Sequence, residues 1–281
     1  MNYPGGKNGS GVVQAIINQI PPHKTYFEAF LGSGPVMRAK RPAPESIGVD
    51  SDAAVVVRWC DHTDQSGEAE GKWRLPPGGS VILGDAISFL SSYQWRGGEF
   101  VYCDPPYLFD VRSSRRAMYT AEFGEVDDHQ RLLRLLRSLP CMVALSGYFS
   151  ELYADSLAEW RHVTFNTVAR SGEVKTEWLW MNYPEPQALH DYRFLGDNYR
   201  ERERLARMRR RWLARLARME PLERLMLSAA IAESGGVSCK PSPDPAILAT
   251  TNPPAASLFA AGLDETSNYL NVTHTVNAAK E

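Results

Sequence analysis

From about residue 7 to residue 183, short apolar runs alternate with amphipathic stretches, as strand and helix do when they take turns around a mostly parallel sheet. Expected strands are 25–31, 46–49, 80–83, 99–103, 142–146, 163–168 and 176–182. Helices are expected to begin near Lys7, Gly34, Ser51, Asp85, Val126 and Phe149. Only 169–175 separates the last two strands, too little chain for a parallel crossover, so they are expected to form an antiparallel hairpin at one sheet edge. The chain has 281 residues, 43% of them hydrophobic, which is enough for a full core. The expectation is one α/β domain over residues 1–186.

After Pro184 and Pro186 the character changes. Leu205, Met208, Trp212, Leu216 and Met219 recur at steps of three and four, an apolar helical stripe with arginines on the remaining faces. Pro221 suits the first turn of a second helix running to about Glu233. A helical extension is therefore expected over 187–235. Beyond it, 236–281 is rich in Pro, Ser, Thr and Asn and low in charge, a tail without a core of its own. Between Asp197 and Met219 nine arginines face three acids, so this stretch carries +6 and the rest of a chain of net charge -2 carries -8. The arm fits a nucleic-acid backbone, a dimer contact through Leu205 and Trp212, or packing against the core.

Apolar runs fall far short of the roughly 20 residues of a membrane span, and no basic-then-apolar leader opens the sequence, so a cytoplasmic protein without a membrane partner is expected. Cys60, Cys103, Cys141 and Cys239 lie far apart without a CxxC pair, which suggests neither a metal site nor a disulfide framework.

Three strand ends carry chemistry. The run Phe27-Glu28-Ala29-Phe30-Leu31-Gly32-Ser33-Gly34 ends an apolar strand in a Gly-x-Gly turn, which lets backbone approach a ligand closely at the C-terminal edge of a sheet. Position 37 is Met37, so the third glycine of a dinucleotide fingerprint is missing. Asp50 ends the next strand, where an acidic side chain accepts hydrogen bonds from ribose hydroxyls or caps a helix. Gly84-Asp85 ends a third, with Asp85 suited to a helix cap or an adenine edge. Lys7, in a glycine-rich stretch, does not match a phosphate-binding P-loop, because Asn8 stands where Ser or Thr is required and the few residues before it are not expected to form the strand such a loop follows.

The most specific string is Asp104-Pro105-Pro106-Tyr107 after the apolar strand Phe100-Val101-Tyr102-Cys103. Two prolines remove two backbone donors and hold the chain extended, which leaves carbonyl oxygens for a ligand. A carboxylate beside a carbonyl accepts both hydrogens of an exocyclic amine, and a tyrosine ring stacks a base. The alternative is a proline-stiffened turn with a buried tyrosine.

With these marks the chain resembles the Dam-type, or D12-class, DNA adenine-N6 methyltransferases, including phage members, over roughly residues 2–182. They appear in the family's order: Tyr3-Pro4-Gly5-Gly6-Lys7, Phe30-Leu31-Gly32-Ser33-Gly34, Asp50, Gly84-Asp85, and Asp104-Pro105-Pro106-Tyr107. The resemblance implies a Rossmann-like methyltransferase sheet, S-adenosylmethionine as cofactor and double-stranded DNA as partner. It also implies roles: Tyr3 and Lys7 at the methionine end, Phe30, Gly32, Ser33 and Gly34 as the cradle, Asp50 on the ribose, Asp85 on the adenine ring, and Asp104 to Tyr107 on the target adenine.

Transfer of a sulfonium methyl to N6 requires no metal and no covalent enzyme intermediate, and the base must be flipped from the duplex. Only 69 residues separate Gly34 from Asp104, too few for a large recognition insert. Arg112, Arg115 and Arg116 are the candidates for phosphates and base edges, the alternative being a solvated loop. Other readings are an RNA adenine-N6 methyltransferase and a catalytically silent nucleic-acid-binding module on the same scaffold.

Overall fold

The computed structural model describes residues 11–60, 75–108, 123–168 and 174–234, with the side chains of 167 and 168 excepted. In chain order the elements are α1 (Val12–Ile17), β1 (Thr25–Ala29), α2 (Pro35–Ala39), β2 (Glu45–Asp50), α3 (Ala53–Cys60), β3 (Gly79–Leu83), α4 (Ala86–Ser92), β4 (Glu99–Cys103), α5 (Val126–Ser138), β5 (Met142–Tyr148), α6 (Glu151–Ser156), β6 (Arg161–Val168), β7 (Val174–Met181), α7 (Tyr199–Ala217) and α8 (Pro221–Glu233). The expected start near Lys7 lies outside the described residues.

The strands form one sheet in the order β3-β2-β1-β4-β5-β7-β6. The first five are mutually parallel, and β7 runs antiparallel to both β5 and β6. This is the expected Rossmann-like sheet with an antiparallel edge hairpin, with β7 inserted between β5 and the edge strand β6. Side chains alternate across the pleat. Tyr26, Phe100, Tyr102, Ala144, Leu179 and Met181 meet α1, α2 and α3 on one face. Phe27, Ala29, Val101, Cys103, Val143, Leu145 and Trp180 meet α4, α5 and α6 on the other. Both faces of β1 and β4 are thereby buried, which accounts for their largely apolar character.

The helical extension is tied to this body at its root. His190 N–H donates to the Ile20 carbonyl at 2.9 Å, Arg41 N–H to Asp191 Oδ2 at 2.8 Å, and Asn18 Nδ2 to the Phe194 carbonyl at 2.7 Å. The His190 ring stacks on His23 with centroids 3.9 Å apart. Past the root, α7 and α8 contain no buried residue. Among the described residues no helix is long and apolar enough to cross a membrane.

Candidate active site

The connection order makes the site. From β1 the chain winds outward through β2 and β3, then returns to place β4 on the other flank of β1. Open α/β sheets bind ligands in the crevice where the order reverses in this way, at the carboxyl ends of the strands. Ala29 and Cys103 are register partners, so Phe30 and Asp104 leave the sheet side by side. The glycine turn and the Asp-Pro-Pro-Tyr segment thus flank one crevice.

The strand expected to reach Leu31 ends at Ala29, because Phe30 turns left-handed at φ 58°. A non-glycine residue there costs about 1–2 kcal/mol, and such strain collects at ligand sites. The Phe30 ring packs against Phe123, centroids 5.0 Å apart, and the Phe123 carbonyl lies 3.0 Å from His129 Nε2. Gly32 and Gly34 also have positive φ, 48° and 52°. Leu31 fits over Gly48 of β2, where a Cβ would lie 2.5 Å from a Leu31 methyl. Ser33 is buried within the turn.

Asp50 braces this turn from the neighbouring strand. Its Oδ2 accepts the Gly32 N–H at 2.7 Å and its Oδ1 the Asp52 N–H at 2.9 Å. Burial pushes its carboxyl pKa up, against the pull of these two hydrogen bonds. Trp59 Nε1–H closes the turn from below, donating to the Gly32 carbonyl at 3.0 Å. Asp85 is the N-cap of α4, accepting the Ser88 N–H at 2.7 Å. The capping role expected of it is therefore real.

On the other flank Asp104 is partly buried and Pro105 buried. Tyr107 is fixed at both ends. Its ring lies 4.4 Å from that of Tyr148, and its hydroxyl donates to Glu177 Oε1 at 2.6 Å. Burial, then the charges of Asp104 and Glu177, hold the phenol well above its ordinary pKa, so it stays the donor. Lys175 sits over the Tyr148 ring, 5.2 Å from its centroid. Glu177 and Tyr148 are register partners on β7 and β5, which explains how two distant segments converge on one tyrosine.

Glu28 is the charge inside an otherwise apolar strand, 2% exposed. Gly34 offers α2 no side-chain cap, and Glu28 takes that place from across the turn. Its Oε2 accepts the Met37 N–H at 2.7 Å and the Tyr26 hydroxyl at 2.8 Å. Burial raises its pKa to about 7 and lowers that of the equally buried Lys40 to about 7. Between pH 4.5, the ordinary value, and about 7 the native state holds a proton that the unfolded chain has released. Glu28 therefore contributes a loss of stability as pH rises through that window, on the order of 1–3 kcal/mol, while burial lowers the pKa values of His23 and His190, which act in the opposite direction. Above pH 7 the buried Lys40 acts in the opposite direction, because the unfolded chain then binds the extra proton. Glu28→Gln keeps an acceptor for Met37 and, in urea denaturation, should raise stability at pH 7 relative to pH 5 compared with the wild type. An equal change between the two pH values in variant and wild type would exclude a contribution from Glu28.

Of the sequence-predicted residues, the structure sets Phe30 beside Asp104 at the ends of β1 and β4 and ties Gly32 to Asp50, while Tyr107 packs toward β5 and β7 and Asp85 follows β3, two strands away from β1. Tyr3, Lys7, Arg112, Arg115 and Arg116 lie outside the described residues. Sequence reasoning missed Glu28, Trp59, Tyr148 and Glu177. A carboxylate within an apolar strand was a usable signal for Glu28, and nothing in the local sequence marks the others.

No protein-family model and no curated protein matches the chain. Several solved structures are similar in fold. Precorrin-8w decarboxylase of Methanobacterium thermoautotrophicum is 11% identical, covering 64% of this chain and 92% of its own, with a TM-score of 0.39. The 23S rRNA methyltransferase ErmE is 12% identical, covering 74% and 77%, with a TM-score of 0.39. Magnesium protoporphyrin IX methyltransferase of Synechocystis PCC 6803, solved with bound SAM, is 14% identical, covering 61% and 78%, with a TM-score of 0.36. Likenesses at this level assign no substrate.

Proposed function

We propose that the protein is an S-adenosylmethionine-dependent methyltransferase that acts on N6 of adenine in DNA, similar to the Dam-type enzymes. The observation that carries this reading is the meeting of the left-handed glycine turn and the Asp-Pro-Pro-Tyr segment on the two flanks of the β1/β4 crevice.

The residues fit a nucleoside-bearing cofactor. Gly32 and Gly34 hold the turn after β1 in a conformation that side chains disfavour, and Asp50 stands beside it with lone pairs beyond those spent on Gly32 and Asp52. Bracing the turn and accepting a ribose hydroxyl are therefore compatible for Asp50. Tyr3 and Lys7 are assigned to the methionine end and Asp85 to the adenine ring. When bound, S-adenosylmethionine supplies a methyl group already activated on sulfur.

The chain's own residues supply position and polarity. The Asp104 carboxylate and the Pro105 carbonyl accept the two N6 hydrogens, which draws the nitrogen lone pair out of the ring and aims it at the methyl group; once N6 is alkylated, the Asp104 carboxylate takes the proton it sheds. Pro106 keeps the segment extended. Tyr107, held by Tyr148 and Glu177, gives a flipped base a preset stacking partner at little ordering cost. Arg112, Arg115 and Arg116 are assigned to DNA phosphates and base edges.

The test is expression in a host lacking adenine methylation, followed by modification-sensitive sequencing, with parallel transfer assays on duplex DNA and structured RNA. N6-methyladenine in DNA at a short sequence motif is the expected result. Methylation confined to RNA would move the substrate, and no affinity for S-adenosylmethionine would leave a silent binding module.

A further inference from the structure

We infer that α7 is a phosphate-binding arm that lies along the backbone of a nucleic-acid duplex. The choice of a nucleic acid among polyanions rests on the DNA reading above. The stripe itself is read from the helix.

At 100° per residue, Arg200, Arg204, Arg207, Arg211, Arg215 and the C-cap Arg218 fall within one narrow sector of α7. They span about 27 Å of helix, roughly one cation every 5 Å. A duplex offers about one phosphate per 3.4 Å of axis on each strand, so phosphates outnumber the stripe's cations wherever the two lie together. Arg204, Arg207, Arg210 and Arg211 enclose an open depression on the same helix. Only Glu201 and Glu203 oppose these cations on α7, both near its start, and they pair with Arg204, Arg207 and Arg210 at 3.4–3.6 Å. The second half of the helix carries no acid.

Arginines stacked at steps of three and four repel one another, and the described residues bury none of α7 to offset that repulsion. Such a helix is suited to an external polyanion. The rest of the chain, at -8, repels one, so the arm is where attraction can begin. Its root is held in place. The Arg202 guanidinium donates to the Gly196 carbonyl at 3.4 Å and lies where a Cβ on Gly11 would meet it at 2.6 Å, while Asn198 caps α7 through the Glu201 N–H at 3.0 Å.

The test uses the full-length protein and a duplex oligonucleotide, with affinity measured from 50 to 300 mM salt. Substituting Arg204, Arg207 and Arg211 together by Ala should lower the slope of log affinity against log salt by about 2–3 and weaken binding tenfold or more near 100 mM. The Lys triple variant should keep the wild-type slope. Ala at Arg131, Arg134 and Arg137, exposed on α5, should leave it unchanged. An unchanged slope in the arm variant overturns the inference, as does wild-type binding to phosphatidylserine vesicles in preference to DNA. Loss of a dimer without a change in slope also overturns it and assigns the arm to a second copy. A lowered slope in a protein that methylates no DNA upholds the arm and fails the proposed activity. Intact methylation with an unchanged slope fails the arm alone.

Discussion

Asp104→Ala is expected to lower the rate of methyl transfer by about 10³-fold or more while the protein still folds and binds S-adenosylmethionine. The side chain projects just past Cys103, the last paired residue of β4, so its removal breaks no strand hydrogen bond. Cys103 itself is fully buried and keeps the strand end in register. The loss should appear in kcat more than in KM for DNA, because the carboxylate is asked to hold an N–H that becomes acidic only as the methyl group transfers. Asp104→Asn retains an acceptor oxygen without the charge and should be less severe, by about one to two orders of magnitude. A single-turnover assay with labelled methyl donor separates these outcomes from a folding defect, and thermal melting should move little. Near-wild-type transfer by the Ala variant would remove the aspartate from the chemistry.

How far the site was legible depends on the range over which its interactions act. Asp104-Pro105-Pro106-Tyr107 and Gly32-Ser33-Gly34 are contiguous, and their backbone consequences follow from local rules about proline and glycine. The alternation of strand and helix located both at strand ends, and β4 was expected over the same residues it occupies. The early end of β1 was not legible, because φ 58° at Phe30 is imposed by neighbours: Leu31 N–H bonds the Val49 carbonyl and its side chain fills the space above Gly48. From the sequence Glu177 reads only as part of a strand, since its partner Tyr107 is 70 residues away and the two meet through the insertion of β7 beside β5. The stripe of Leu205, Met208 and Trp212 shows the limit of periodicity. It specified a helix correctly, but Met208 and Trp212 stay 39% and 51% exposed, so period alone did not say whether a core would meet it.

Gly34→Ala should be the most damaging small substitution in the turn, for two separable reasons. At φ +52° any side chain costs about 1–2 kcal/mol, and the added Cβ would stand 2.5 Å from Trp59 Cζ2 and 2.9 Å from its Cη2. Trp59 is fully buried and its Nε1–H is tied to the Gly32 carbonyl, so the ring cannot retreat without opening the turn it closes. Overpacking of this kind adds about 1–3 kcal/mol, for a total of roughly 2–5 kcal/mol in urea denaturation. If the turn opens instead, the cost passes to the ligand, and affinity for S-adenosylmethionine should fall tenfold or more. Trp59→Phe distinguishes the two causes, because it removes the overlapping ring atoms along with the hydrogen bond. In a double-mutant cycle the pair should be less destabilised than the sum of the singles, by about 1 kcal/mol or more if the overlap is real. Strict additivity would leave backbone strain as the whole effect. Gly84→Ala is the matched control: a Cβ there meets nothing within 4 Å, so a change within about 0.5 kcal/mol is expected.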